Sequence, residues 1–566
     1  MPVAADPNAA VNQLADRFWD GVLERDPLYA TILGDDRFDD RWPDLGPDGR
    51  AADEAAYRAT LADAEAIDAD GLEPEQVITR DLLMLVCRNH LEFLAQKQYQ
   101  LSLDHMSGPQ VWPVQAAQYQ PADTPERLEK LLRRFETYPT MLEQYIGTLA
   151  EGVADGRTAA AVPVRRAIEQ IDRLLGIPAE QAPAATMAKV ADEDRPRLVA
   201  AVEEHVYPAL RRLRSFLVDD YQPHARQEPG IGATPGGEEA YRLAIRMQTT
   251  LDTTAEEVHA FGLADLDAIE AEMDEIAHRL GHADRVALKA ALADDPANHT
   301  DDPSALVTLA QQQTDRAYAA APQYFGRLPS ANCEVRAVEA YREAESPPAF
   351  YMPPTLDGSR QGQYYINTYQ PAERQLHKIA AITFHEATPG HHFQIAIEME
   401  LDGLPAFRTL GARMAGVAYS EGWGLYCERL ADEMGLYLSD QERLGMLEAQ
   451  AFRAARLVVD SGLHAMGWSR EQAIVVMHER GSLPMVDAEI EVDRYTVWPG
   501  QALSYKLGQR EIERARAEVA AAMGDRFDLR AFHDEVLGHG SLPLATLRRE
   551  ILGWVEAAVS GGSSTG

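Results

Sequence analysis

The sequence predicts a mainly α-helical protein, a large multi-helix architecture with one small β-hairpin or sheet. Three observations support this. Long stretches rich in Ala, Leu, Glu and Arg place apolar residues three and four apart, the repeat of one helix face. No heptad pattern is sustained and no repeat of 20–50 residues occurs, which excludes a coiled coil and a solenoid. Only 347–369 carries short aromatic and β-branched runs bounded by turn residues.

In chain order, helices are expected over 51–70, 124–154, 162–176, 195–218, 254–280 and 304–320. Thr254 followed by Glu257 has the spacing of a capping box, which satisfies two otherwise unpaired backbone N–H groups at a helix start. Gly and Pro crowd into 221–241, which reads as an interdomain linker or an ordered loop over a cleft. A boundary there divides the chain into an N-terminal helical half, 1–235, and a C-terminal half, 236–566, within one continuous two-lobed unit. Strands are expected over 349–352 and 363–368, with Asp357-Gly358-Ser359 as the turn between them. Asn367 and Tyr364 alternate with Tyr365 there, which would let them line a cleft.

Composition narrows the function classes. The formal net charge of −37 argues against nucleic acid or an anionic membrane as the main partner, since both require basic patches. No window of 18 consecutive apolar residues occurs, so no membrane span is expected. The N-terminus has neither a basic start nor an apolar core, and the expectation is a cytoplasmic protein. Cys87, Cys333 and Cys427 are too few and too scattered for a disulfide framework or a thiolate zinc cluster. Any zinc would need imidazole and carboxylate ligands.

Such ligands occur in "FHEATPGHHFQ", residues 384–394. Residues 371–388 read as a helix opened by Pro371, with Ile379, Ile382 and Phe384 on its apolar face and His385-Glu386 near its end. In a His-Glu-x-x-His zinc peptidase, two histidines one turn apart bind the metal and the intervening Glu is the general base. Here Pro389 occupies the position of the second histidine, and its ring cannot be accommodated in a regular helix. His392 would lie ~10.5 Å along an unbroken helix from His385. A bulge at Gly390 would instead bring His391 one turn from His385, so His391 is the favoured second ligand and His392 the alternative.

A third ligand is available 36 residues after His385, in "YSEGWGLYCERL". One branch of zinc peptidases takes its third ligand from a Glu on a later helix. Glu421, flanked by Ser420 and Gly422, suits a tight site; Glu428, beside Arg429, reads as facing solvent or a salt bridge. The ligand set is thus His385, His391 and Glu421, with Glu386 as base.

These motifs, with "RLVVDSGLHAMGW" (456–468) and "YTVWPGQALSYKLG" (495–508), resemble the bacterial domain-of-unknown-function family 885. The resemblance runs from "DPLYATILGDDRFDD" (26–40) to "GSLPL" (540–544). That family is similar to gluzincin metallopeptidases, with a helical fold like the carboxypeptidase Taq family, and its motif already contains the Pro-Gly insertion. The resemblance implies Zn2+ and hydrolysis of a small substrate, most simply a short peptide, with a non-peptide amide or ester, or a non-catalytic binding protein with a degenerate site, as alternatives. Relatives use a Tyr or His from a late helix as oxyanion donor, which points to Tyr505, next to Lys506. Arg494 and Tyr495 are placed to meet a substrate carboxylate. Arg456, Asp460 and His464, at i, i+4 and i+8, form a polar row suited to holding an imidazole ligand in place.

Overall fold

The computed structural model describes residues 6–339, 343, 346–355 and 360–561. It is mainly helical with one three-stranded sheet. Among the described residues, no helix is long and apolar enough to cross a membrane. The chain forms two compact units. The first comprises Met1–Leu243, Leu463–Arg470 and Glu489–Pro499; the second comprises Ala244–Gly462, Glu471–Ala488 and Gly500–Gly566. The division differs from a single cut at 235/236, because two short later segments return to the first unit.

In the first unit, the helix Pro125–Ala154 buries Leu128, Leu131, Phe135, Tyr138, Leu142 and Leu149, the three- and four-residue spacing that its sequence displays. Thr124 caps it by accepting from the Arg127 N–H. The predicted helix 195–218 contains two α segments, Arg195–Ala201 and Tyr207–Phe216, joined by a π turn over Val202–Val206. Pro208 lacks the N–H that a regular helix needs there, and the wider turn accommodates the missing bond. The Gly/Pro-rich stretch 221–241 is no linker. It belongs to the first unit, with 3-10 turns at Gln222–His224 and Ile231–Ala233.

In the second unit, the helix Ala255–Arg279 opens with the predicted capping box of Thr254 and Glu257. The helices Ala418–Glu433 and Ser504–Met523 cross where Gly422 meets Gly508. A Cβ on Gly508 would sit 1.9 Å from the Ala418 carbonyl oxygen, so only glycine permits this approach. The sheet runs in the order β1 (Cys333–Ala337), β3 (Gly362–Ile366), β2 (Ala349–Met352). β2 and β3 are the expected antiparallel pair, and the expected turn at 357–359 lies outside the described residues. β1 joins β3 in parallel. Its charged Glu334 and Arg336 flank the single buried Val335, the composition of a short edge strand that gives little apolar signal.

β3 is buried along its whole length. Val335, Tyr364 and Ile366 form one apolar cluster with Leu306 and Ala310 of the helix Pro303–Ala320 and with Ile379. Tyr364 is therefore core, its hydroxyl 3.4 Å from Thr383 Oγ1, and not a cleft residue. Asn367 is not one either. Its Nδ2 donates to the Glu343 and Ser346 carbonyls while its Oδ1 accepts from the Tyr369 N–H, a clasp at the end of β3.

Candidate metal centre

The first histidine helix is shorter than its sequence suggests. Pro371 opens only a 3-10 turn, Pro371–Glu373, preceded by Gln370 in the left-handed region, and a second turn spans Leu376–Lys378. Asn298 Oδ1 accepts from both the backbone N–H and the ring Nδ1–H of His377, which pins the chain before the helix starts. The α-helix is Ile379–Glu386, so His385-Glu386 forms its last residues.

Pro389 breaks the chain here rather than bulging it. The Thr388–Pro389 peptide is cis, and a second helix, His391–Met399, starts two residues later. The Pro389 carbonyl accepts from Trp423 Nε1 at 3.0 Å and faces Cys427 Sγ at 3.3 Å, both on the helix Ala418–Glu433. Gly390 is required by contact: a Cβ there would lie 1.9 Å from the His385 carbonyl oxygen. Folding the chain back on His385 places His391, the first residue of the new helix, beside it. Their rings meet edge to face, with centroids 4.7 Å apart.

Glu421 sits in the first turn of the helix Ala418–Glu433. One of its oxygens lies 3.6 Å from His385 Nε2 and 3.5 Å from His391 Nε2. The His385, His391 and Glu421 ligand atoms all lie within 4.8 Å of one another. Ligands at 2.0–2.2 Å from a tetrahedral zinc are about 3.4 Å apart along each edge. The two nitrogen–oxygen separations match that edge and exceed the usual length of a direct hydrogen bond. Gly424 leaves room for the His385 ring, since a Cβ there would approach its Nε2 to 2.9 Å.

Behind this candidate group, His385 Nδ1 donates to Glu428 Oε1 at 2.9 Å. A carboxylate only accepts, so Nδ1 carries a proton, and in the neutral ring the Nε2 lone pair faces Glu421 and His391. Of the two expectations for Glu428, solvent or a salt bridge, the second holds, with His385 and not Arg429 as partner: Glu428 is buried, while Arg429 turns away to pair with Glu272. The spacing of seven from Glu421 was the available signal, as two turns return a residue to the same helix face. Burial disfavours charging of His385, but Glu421 and Glu428 outweigh it and hold the imidazole up at about 9. Burial raises the Glu421 carboxyl in turn, and the two imidazoles overcome this to bring it well below the usual range. Glu386 is half-buried, and its charge acts on His385, Tyr364 and Cys333.

The other predicted site residues divide. His392 is no ligand: its Nε2–H donates to the Ala331 carbonyl and its Nδ1 accepts from the Tyr351 hydroxyl on β2, both at 3.0 Å. Burial pulls it down to about 4, so the ring is neutral. Tyr505 lies one turn before Gly508 on the helix that touches Gly422, with the Arg456 guanidinium 4.5 Å from its ring centre. Lys506 is buried, its Nζ on Gln450, Gln509 and Asp265. Asp460 holds no imidazole; it accepts from the Gly500 N–H at 3.0 Å. His464, Arg494 and Tyr495 belong to the other unit. There Arg494 and the Tyr495 hydroxyl both engage Glu491, and His464 accepts from the Ile231 N–H and donates to the Tyr495 carbonyl.

His464 and His533 are both buried and neutral, with burial pulling them down to about 3 and about 4. Each folded-state value lies below the unfolded one, so the unfolded chain binds more protons. Their contribution is fully present above about pH 6.5 and is lost as pH falls toward 4, on the order of 3 kcal/mol each. Urea midpoints recorded from pH 7.5 to 4.5 are expected to drop across this window; a flat profile contradicts neutral burial.

A sequence model of a bacterial protein family of unknown function, DUF885, matches residues 27–551. No curated protein matches the chain. The fold is similar to the crystal structure of a candidate lipoprotein from Colwellia psychrerythraea, with 26% identity and a TM-score of 0.89 over 97% of this chain and 99% of that one. It is also similar to a candidate lipoprotein of unknown function from Shewanella oneidensis, with 20% identity and a TM-score of 0.75 over 96% and 99% of the two chains.

Proposed function

This chain belongs to the bacterial family DUF885, and on its three convergent ligands we propose that it is a zinc-dependent metallohydrolase, a gluzincin-like peptidase of short peptides. The observation that carries this reading is one Glu421 oxygen at tetrahedral-edge separation from both His385 Nε2 and His391 Nε2, with all three atoms within 4.8 Å of one another. The donor set fits zinc: two imidazoles, one carboxylate, and a buried carboxylate behind one imidazole. When bound, zinc supplies a charge that acidifies water and polarises a carbonyl.

The chain's own residues would perform the rest. Glu386, adjacent to a ligand but outside the ligand set, accepts the proton of the attacking water and returns it to the leaving nitrogen. Tyr505 donates its hydroxyl hydrogen to the developing oxyanion from the helix that crosses at Gly422. β1 and β2 are the edge strands of the sheet, and β3 between them packs against the start of the first histidine helix. An exposed strand edge pairs with an extended peptide backbone, which favours a peptide substrate.

Metal analysis of the purified full-length chain, paired with hydrolysis assays on blocked peptides, free dipeptides and simple esters, tests this. Stoichiometric zinc and cleavage of peptides are expected. Absence of any stoichiometric transition metal defeats the proposal, and turnover of esters alone defeats the peptidase assignment.

A further inference from the structure

The support of His385 does not end at Glu428. Glu428 Oε2 accepts from Gln450 Nε2 at 2.9 Å, and Gln450 Oε1 accepts from Lys506 Nζ at 2.7 Å. Lys506 is 4% exposed; its Nζ also donates to Gln509 Oε1 at 3.0 Å and forms an ion pair with Asp265 Oδ2 at 3.0 Å. Gln450 is fully buried and also donates to the Leu425 carbonyl at 3.2 Å. Three helices contribute one member each: Glu428 from Ala418–Glu433, Gln450 from Asp440–Ala465, and Lys506 from Ser504–Met523.

An amide can be turned end for end at little steric cost, and only its partners fix its direction. Here the partners leave one choice. A turned Gln450 would aim its NH2 at an ammonium and its oxygen at a carboxylate, two repulsive contacts in a buried site where such terms are large. Lys506, with no acceptor atom of its own, therefore dictates that Gln450 presents N–H groups to Glu428. A Glu428 held this way keeps Oε1 facing His385 Nδ1–H.

We propose that Gln450 and Lys506 are positioning residues for the metal centre, a buried ammonium–amide–carboxylate relay that sets the tautomer and direction of the His385 imidazole. Lys506 governs metal affinity from three contacts behind the His385 ligand. The inference rests on the reading of His385 as a metal ligand. It also accounts for a lysine whose burial lowers its pKa, a costly group to retain in a core. No predicted role in substrate binding is needed for it.

The test is chelator-competition measurement of zinc affinity on full-length wild type, Lys506→Met, Gln450→Met and Gln509→Leu. The thermal midpoint of each zinc-free chain is recorded alongside. Lys506→Met and Gln450→Met are expected to weaken zinc binding about tenfold or more, while Gln509→Leu, which removes a Lys506 partner outside the relay, leaves it unchanged. Nitrogen-15 spectra of the zinc-free imidazoles supply a readout that loss of packing alone would not move. In the neutral ring, above the raised pKa, His385 is expected as one Nδ1-protonated tautomer in wild type and as a mixture in the two relay variants. If Lys506→Met does not fold, Gln450→Met carries the comparison, since it removes the amide while keeping the side chain's length. Folded relay variants with wild-type affinity and a single tautomer overturn the inference alone. A wild type that binds no zinc overturns the metal reading and this inference together.

Discussion

Glu386→Gln is expected to lower the turnover of a cleaved peptide by about a thousandfold and to leave zinc binding intact. The two halves of that result have different origins. Glu386 is absent from the set of atoms that converge on one point, so an amide in its place removes no ligand. It follows His385 directly at the end of the first histidine helix and remains half-buried beside the ligands. Glutamine has the same shape but cannot accept a proton, so the loss appears in kcat and not in KM when the carboxylate acts only on the attacking water. Turnover and metal content are measured on the same preparation. A variant that keeps full activity removes Glu386 from the mechanism; one that loses zinc as well shows that the carboxylate is part of the metal site.

The adjacent histidines are expected to behave in opposite ways. His391→Ala removes one of the three proposed ligands. Structural zinc sites with four ligands bind with roughly 10–16 kcal/mol, so one ligand is worth about 3 kcal/mol, or more than a hundredfold in zinc affinity. His392→Ala leaves the ligand set untouched. It removes the bonds to Tyr351 and to the Ala331 carbonyl and opens a gap at a fully buried position, at a cost to folding stability of about 2–4 kcal/mol. Zinc titration and urea unfolding of both variants separate the two. Weakened zinc in His392→Ala with unchanged zinc in His391→Ala would reverse the ligand assignment.

Much of the architecture was legible beforehand because it depends on local periodicity. The apolar spacing along Pro125–Ala154 and the capping box at Thr254 each involve residues within one or two turns. β2 and β3 were legible for a similar reason, since Phe350, Tyr351, Tyr364 and Ile366 announce strands without reference to distant partners. β1 was not, because a short charged edge strand is defined by the strand it joins. The late start of the first histidine helix was hidden too: Asn298, 79 positions before His377 in the chain, holds the preceding backbone in a different arrangement.

The site shows the same separation. His385, Glu386, the paired histidines and Glu421 are legible through residue type and spacing as the basis of the metal-hydrolase proposal, and the family follows from motifs spread along the chain. Periodicity carried no information about the polar row at 456, 460 and 464, which looked like support for a ligand. Asp460 and His464 in fact hold backbone groups of Gly500, Ile231 and Tyr495. Nor did it reveal that Glu428 turns inward to His385 and that Gln450 and Lys506 stand behind it.

The sequence by itself determined the helical class, the family and the kinds of ligand available. Only the tertiary structure decided which histidine joins His385, because that depends on the direction of a side chain after Pro389 ends one helix and Gly390 lets the next begin against the His385 carbonyl. Spacing in a chain fixes direction only while the helix continues. Once it breaks, convergence on one point is set by the helix that carries Glu421 and clamps the turn through Trp423.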